Sequence, residues 1–143
     1  MSTRKLIGSL GVAGMILASM TLGTGSAGAA TSCAGGNKLC YFYNSNYAGG
    51  QAGFDYPPNQ GGFGCTPNYT GHYFSDGHPV PNQQAGALNS TQNYTAFLFI
   101  NHIASDCNSY GNQPADPFQL NPLSGVPVLN GTYKNNLMAH SWY

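Results

Sequence analysis

The chain is 143 residues long, a single-domain length, and charged side chains make up only 6% of it. The full chain is formally neutral, but Arg4 and Lys5 stand at its very start; beyond residue 30, Lys38 and Lys134 face Asp55, Asp76, Asp106 and Asp116, with no Glu, for a net charge near −2 over that part. Two lysines cannot build the basic patch that phosphate recognition needs, which excludes nucleic acid and anionic membrane surfaces as partners. An aromatic share of 13% stands far above that of disordered chains and points to a folded domain.

Residues 1–30 have the pattern of a secretory signal peptide: a basic start "MSTRK", an apolar run "LIGSLGVAGMILASMTLG" and a small-residue cleavage region "SAGAA". The alternative is a membrane anchor, but glycines interrupt the run and small residues follow it directly. Cleavage is expected before Ala30 or Thr31. This leaves one domain over 31–143 that is secreted, extracellular and off the membrane once the signal is removed.

Helical periodicity is almost absent from this domain, while Gly, Pro and Asn punctuate it every few residues. Strands are expected at Leu39–Asn44 "LCYFYN", Gly50–Tyr56 "GQAGFDY", Tyr94–Asn101 "YTAFLFIN", Val126–Asn130 "VPVLN" and Gly131–Asn135 "GTYKN". Turn-rich connections at 57–87 and 105–125 separate them. Many short strands with Gly/Pro turns imply an all-β sandwich or small barrel. A faint echo joins "YFYN" (41–44) and "LFIN" (98–101), though matches this short also arise by chance.

Cys33, Cys40, Cys65 and Cys107 all lie after the signal, and an even count in an oxidising compartment implies two disulfides. Three connectivities are open; the favoured one is a local Cys33–Cys40 staple with Cys65–Cys107 bridging the halves. No CxxC occurs, so zinc-site spacing is absent.

The stretch "CYFYNSNYAGG" (40–50) carries the most information. Alternation puts Tyr41 and Tyr43 on one face and Phe42 on the other. Asn44-Ser45-Asn46 is turn chemistry. Tyr47 falls five residues after Phe42, where its ring can fold back over the turn, and Gly49 permits the positive φ of a close approach.

An aromatic, a second one five residues on and a glycine two further resembles the Greek-key signature of βγ-crystallins, with Phe42, Tyr47 and Gly49 at the matching positions. The "C…LC" pair running into "YFYNSNYAGG", with "KNN" (134–136) before Trp142, resembles secreted crystallin-like proteins of the microbial metalloproteinase-inhibitor family. The resemblance implies a small βγ-crystallin-like Greek-key sandwich. It also implies that the second key is degenerate, because the aligned run "INHIASDC" (100–107) has Ala104 and Asp106 where the aromatic and glycine belong.

That family implies a non-enzymatic peptidase inhibitor, of metalloproteases first, acting on an extracellular protease through a rigid loop. Two constrained loops qualify. "GFGCTPNY" (62–69) contains Cys65, Thr66 and Pro67. "DCNSYGNQPADPFQLNPLSGVPV" (106–128) contains Cys107, Asn108 and several prolines. Thermolysin-like enzymes favour an apolar residue after the scissile bond; Thr66 and Asn108 do not fit, whereas Phe118, Leu120 and Leu123 do. The alternative is a polysaccharide- or wall-binding module with Tyr69, Tyr73, Tyr110, Trp142 and Tyr143 as exposed stacking rings.

Other chemistry is poorly served. Crystallin-type calcium loops resemble an Asn/Asp pair followed after two residues by a hydroxyl pair. "NNLMAH" (135–140) has Asn135 and Asn136, but Ala139 and His140 stand where hydroxyls belong. "NSTQNY" (89–94) has one Asn and no closing hydroxyl pair, and neither segment carries a carboxylate, so no cofactor is expected. "HYFSDGH" (72–78) offers His72, Asp76 and His78 as weak transition-metal candidates. Without Glu, GxSxG or HExxH, the sequence gives no enzyme signature.

Overall fold

A computed structural model describes residue 33 and residues 36–56, 64–107 and 113–143; the expected signal segment, Asn108 and Tyr110 lie outside the described residues. The described residues form eight strands and no helix: β1 (Lys38–Asn44), β2 (Ala48–Asp55), β3 (Gly64–Thr66), β4 (Gly86–Asn89), β5 (Ala96–Phe99), β6 (Phe118–Leu120), β7 (Ser124–Val126) and β8 (Ala139–Trp142).

Three of the expected strands are present, as β1, β2 and a shortened β5. The expected strand at 126–130 coincides with β7 only at Val126, because Pro127 has no N–H with which to continue a ladder. Residues 131–135 form a turn, not a strand. Asn130 organises it: its carbonyl accepts from the Tyr133 and Lys134 amides and its side chain accepts from the Thr132 amide.

Two antiparallel four-stranded sheets result, ordered β2-β1-β4-β7 and β3-β8-β5-β6. The two orders show an internal two-fold. In each sheet a central strand of one half (β1 or β5) sits between its own second and fourth strands. The outer place beside the fourth strand is filled from the other half: β7 on β4, and β3 on β8. The echo of 41–44 in 98–101 is therefore structural, since β1 and β5 hold equivalent places.

Alternation in β1 sends Tyr41 into the core with Leu39, Phe54, Tyr69, Leu98, Leu120 and Trp142, all buried between the sheets. Phe42 faces the other way and meets Tyr47 edge-on, ring centroids 5.2 Å apart. Gly49 has φ of 77°. The aromatic–aromatic–glycine triad thus forms a folded corner, as the crystallin-like spacing implies. Both favoured disulfides form, Cys33–Cys40 with Cα atoms 5.7 Å apart and Cys65–Cys107 at 5.5 Å.

Gly49 is confined twice over, by its left-handed φ and by space: a Cβ there would sit 2.8 Å from the Asn44 side-chain Nδ2 and 3.2 Å from its backbone nitrogen. Gly49→Ala is expected to lower unfolding stability by about 1–2 kcal/mol, read as a lower urea midpoint at unchanged slope. An unchanged midpoint would mean the corner is not under this constraint.

Candidate functional site

A polar chain crosses the core between the sheets. The Tyr41 and Tyr69 hydroxyls are 2.6 Å apart, the Tyr69 hydroxyl lies 2.9 Å from His140 Nδ1, and His140 Nε2 is 3.5 Å from Thr66 Oγ1. Burial pushes His140 down to about 3, with the neighbouring His72 adding to the shift. Burial likewise pushes both tyrosines up. The chain is neutral and paired, and it is buried from Tyr41 to His140, so it serves the fold. Tyr69 and Trp142, expected as exposed sugar-stacking rings, are completely buried here, because the two sheets close over them.

The calcium candidates are absorbed into the backbone frame. Asn135 has φ of 56° and its amide donates to the Gln84 carbonyl at 2.8 Å; the Asn136 side chain donates to the Thr132 carbonyl at 3.0 Å. Ala139 and His140 are buried in β8. Asn89 is buried too: its Nδ2 donates to the Tyr94 and Leu120 carbonyls and its Oδ1 accepts from the Thr91 amide and hydroxyl.

The His72–Asp76–His78 loop does not converge. His78 pairs with Asp76 at 3.1 Å and stacks on Tyr43, whereas His72 rests against Phe54. Among the described residues, no group of three His, Cys, Asp or Glu side chains is placed to hold a metal ion.

Of the candidate loop residues, Cys65 and Thr66 lie in β3, paired to β8 across Cys65↔Ser141 and Thr66↔His140, and so do not protrude. Cys107 is buried. Leu120 is buried in the main core and pairs with Ala96, which removes it as a docking residue. Phe118 is half-buried against Tyr133, ring centroids 5.1 Å apart. Leu123 alone of this set stands out, 69% exposed.

Its segment is held firmly. The Leu123 amide donates to the Thr91 carbonyl at 3.0 Å, and the Ser124 hydroxyl and amide both bond the Asn121 carbonyl, at 2.6 and 3.3 Å. Leu123 takes φ of 53°, a left-handed conformation unfavourable for a leucine and maintained only by these surroundings. Farther along, the Pro127 carbonyl accepts from the Asn46 amide at 2.7 Å, and a Cβ on Gly125 would lie 2.6 Å from the Tyr47 hydroxyl. Leu123, Val128 and Tyr47 are the exposed large apolar residues among those described, and these contacts gather them along β7 and its neighbouring corner. Sequence reasoning singled out Leu123 but missed Val128 and the outward edge of Tyr47, which depend on where β7 docks.

Two polar clefts lie on the surface of the described residues. One, about 400 Å³, is lined by Tyr43, Asn44, Ser45, Asn82, Gln83 and Lys134 among others. The second, about 450 Å³, is lined by Asn82, Ile100, Asn101, His102, Asn136 and Met138. They are related by the internal two-fold, whose centre is a reciprocal pair of hydrogen bonds, Asn82 amide to Leu137 carbonyl (3.1 Å) and Asn135 amide to Gln84 carbonyl (2.8 Å). The detectable signal was the doubled amide pair, Asn82-Gln83 and Asn135-Asn136. Neither lining contains a carboxylate, and Lys134 Nζ stands 3.4 Å from Ser45 Oγ inside the first cleft. An ammonium among neutral amides does not fit a divalent cation.

No protein-family profile and no curated protein matches the chain. Among solved structures, it is similar to a βγ-crystallin domain described in work on the evolution of the eye-lens fold, with TM-score 0.53, 11% identity, and 76% of this chain and 86% of that one covered. It is also similar to a double mutant of a βγ-crystallin domain from Clostridium beijerinckii (0.49, 10%, 74% and 96%) and to the N-terminal domain of protein S (0.45, 16%, 74% and 94%). At such identity the likeness concerns the fold: an all-β, βγ-crystallin-like pair of Greek keys with two disulfides.

The buried His140 gives a pH signature. Its folded pKa is below its unfolded value, so below about pH 6.5 the unfolded chain binds a proton that the folded chain does not. The contribution of His140 is expected to be flat from pH 7 to about pH 9, below the range where the buried tyrosines matter, and to fall by up to about 1.4 kcal/mol per unit from pH 6 towards pH 4. His140→Gln should flatten that slope in urea unfolding across the same range; an equal slope in both proteins would assign the acid sensitivity elsewhere.

Proposed function

We propose that this protein is an exported, non-enzymatic peptidase inhibitor, directed first at metalloproteases, that docks through residues 121–128. Leu123 is the side chain that enters the apolar subsite of the target. The observation that carries this proposal is the combination found at Leu123: the most exposed large apolar side chain of the described residues stands on a backbone fixed by prolines and hydrogen bonds. A segment already ordered before binding loses little entropy on docking.

The left-handed Leu123 adds a second element. Peptidases hold a cleavable strand extended, and a turn locked at φ of 53° cannot be threaded in that form, so the side chain is presented while the peptide bond is withheld. The resemblance of the 33–50 region to the metalloproteinase-inhibitor family supports the same function. Two disulfides suit an oxidising, extracellular setting.

Mature, oxidised protein titrated against a thermolysin-like protease is expected to inhibit with one-to-one saturation. Leu123→Ala should weaken inhibition by about 10–100-fold, the order expected from removing a buried leucine anchor. Because Leu123 is exposed in the free protein, the substitution should leave the unfolding midpoint nearly unchanged. Absence of inhibition, or equal inhibition by Leu123→Ala, would refute the proposal.

A further inference from the structure

The two related clefts differ in a way that assigns a ligand class to one of them. The internal two-fold sets Tyr43 against Ile100, Asn44 against Asn101 and Ser45 against His102, with Asn82 lining both. The second cleft includes Ile100 and Met138 in its wall. The first is lined by Tyr43, the hydroxyl-bearing Ser45, several amide residues and Lys134.

Lys134 is one of two lysines after residue 5, and among the described residues its ammonium has no carboxylate within ion-pairing distance; Asp55 pairs with Lys38 there, and Asp76 contacts the His78 ring. Its contact is the neutral Ser45 hydroxyl at 3.4 Å. The wall around it is fixed before any ligand arrives. The Tyr43 ring is stacked on His78 with centroids 4.1 Å apart and meets Phe74 edge-on at 5.7 Å. Asn82 and Asn135 both hold φ of 56° in the reciprocal hydrogen bonds of the two-fold.

We propose that the first cleft binds a carboxylated sugar, a uronic-acid residue of an acidic polysaccharide. Amides and a hydroxyl exchange hydrogen bonds with sugar hydroxyls, and an unpaired ammonium selects the carboxylate. A volume of about 400 Å³ lies within the range of small-ligand sites. The second cleft, without a lysine, is the control contained in the same molecule. This binding stands independently of peptidase inhibition: it uses other residues and neither requires the other.

The test is calorimetric titration of the mature, oxidised protein with trigalacturonic acid at low ionic strength, with maltotriose and inorganic phosphate as comparison ligands. Saturable binding of trigalacturonic acid is expected, weakened at least tenfold by Lys134→Gln and unchanged by His102→Ala in the second cleft. Maltotriose should bind at least tenfold more weakly. Both substitutions are at exposed positions, and an unchanged thermal midpoint shows that each variant is folded. The proposal is overturned by absence of binding, by equal affinity for maltotriose, by indifference to Lys134→Gln, or by phosphate competing as well as the uronate, which would mark a simple anion site.

Discussion

Each half of this chain lends its third strand to the other half's sheet, and the rest of the structure depends on that exchange. Neither half can bury its own apolar face: β1, β2 and β4 are completed by β7, and β5, β6 and β8 by β3. The core is shared, with Tyr41 from one sheet reaching His140 in the other through Tyr69. The exchange also sets the surface. Landing on β4, β7 brings residues 121–128 alongside the first corner, where Asn46 and Tyr47 brace them. A connection that reads as a long proline-rich loop thereby becomes an apolar ridge on a rigid support.

The two halves solve the same corner differently. In the first, the Tyr47 ring packs on Phe42 and Gly49 closes the turn. In the second, Phe99 keeps the first ring, but Ala104 and Asp106 stand at the places of Tyr47 and Gly49 and offer neither a second ring nor a glycine. There Ile103 packs on Phe99 with Ala139, and the Cys65–Cys107 disulfide ties the corner to β3. That bridge spans a sequence separation of 42, for which the chain-entropy account gives about 4 kcal/mol of stabilisation. The degenerate second key is therefore a corner whose aromatic latch has been replaced by a covalent one, with left-handed Cys107 (φ 63°) near the place where the glycine would stand.

This contrast explains what could be read in the sequence. Strands dense in aromatic residues, β1 and β5, were legible, as were the Gly-rich β2 that follows the first corner, the corner itself and the disulfide pairing. Strands of three or four residues, such as β3, β4, β6 and β8, carry too little alternation to be recognised, and they are held by partners distant in sequence. Burial was misread for the same reason: Tyr69 and Trp142 sit among polar neighbours in the chain but face the opposite sheet in space. Among the inhibitory candidates, Leu120 and Leu123 look alike three residues apart. Only pairing of Leu120 with Ala96 separates the core residue from the surface one. The clefts were the least visible feature, since each is assembled from corners that the two-fold brings together.

Ridge and cleft are proposed as two uses of one scaffold, and the proposal to test first is docking at the ridge. The most direct measurement is amide hydrogen exchange of the mature protein, free and bound to a thermolysin-like protease made inactive at its catalytic glutamate. New protection is expected at the amides of 121–128 and of the adjoining Asn46 and Tyr47, with the β3 segment around Cys65 and Thr66 unchanged. Protection centred on Cys65 and Thr66, with 121–128 exchanging as in the free protein, would contradict it.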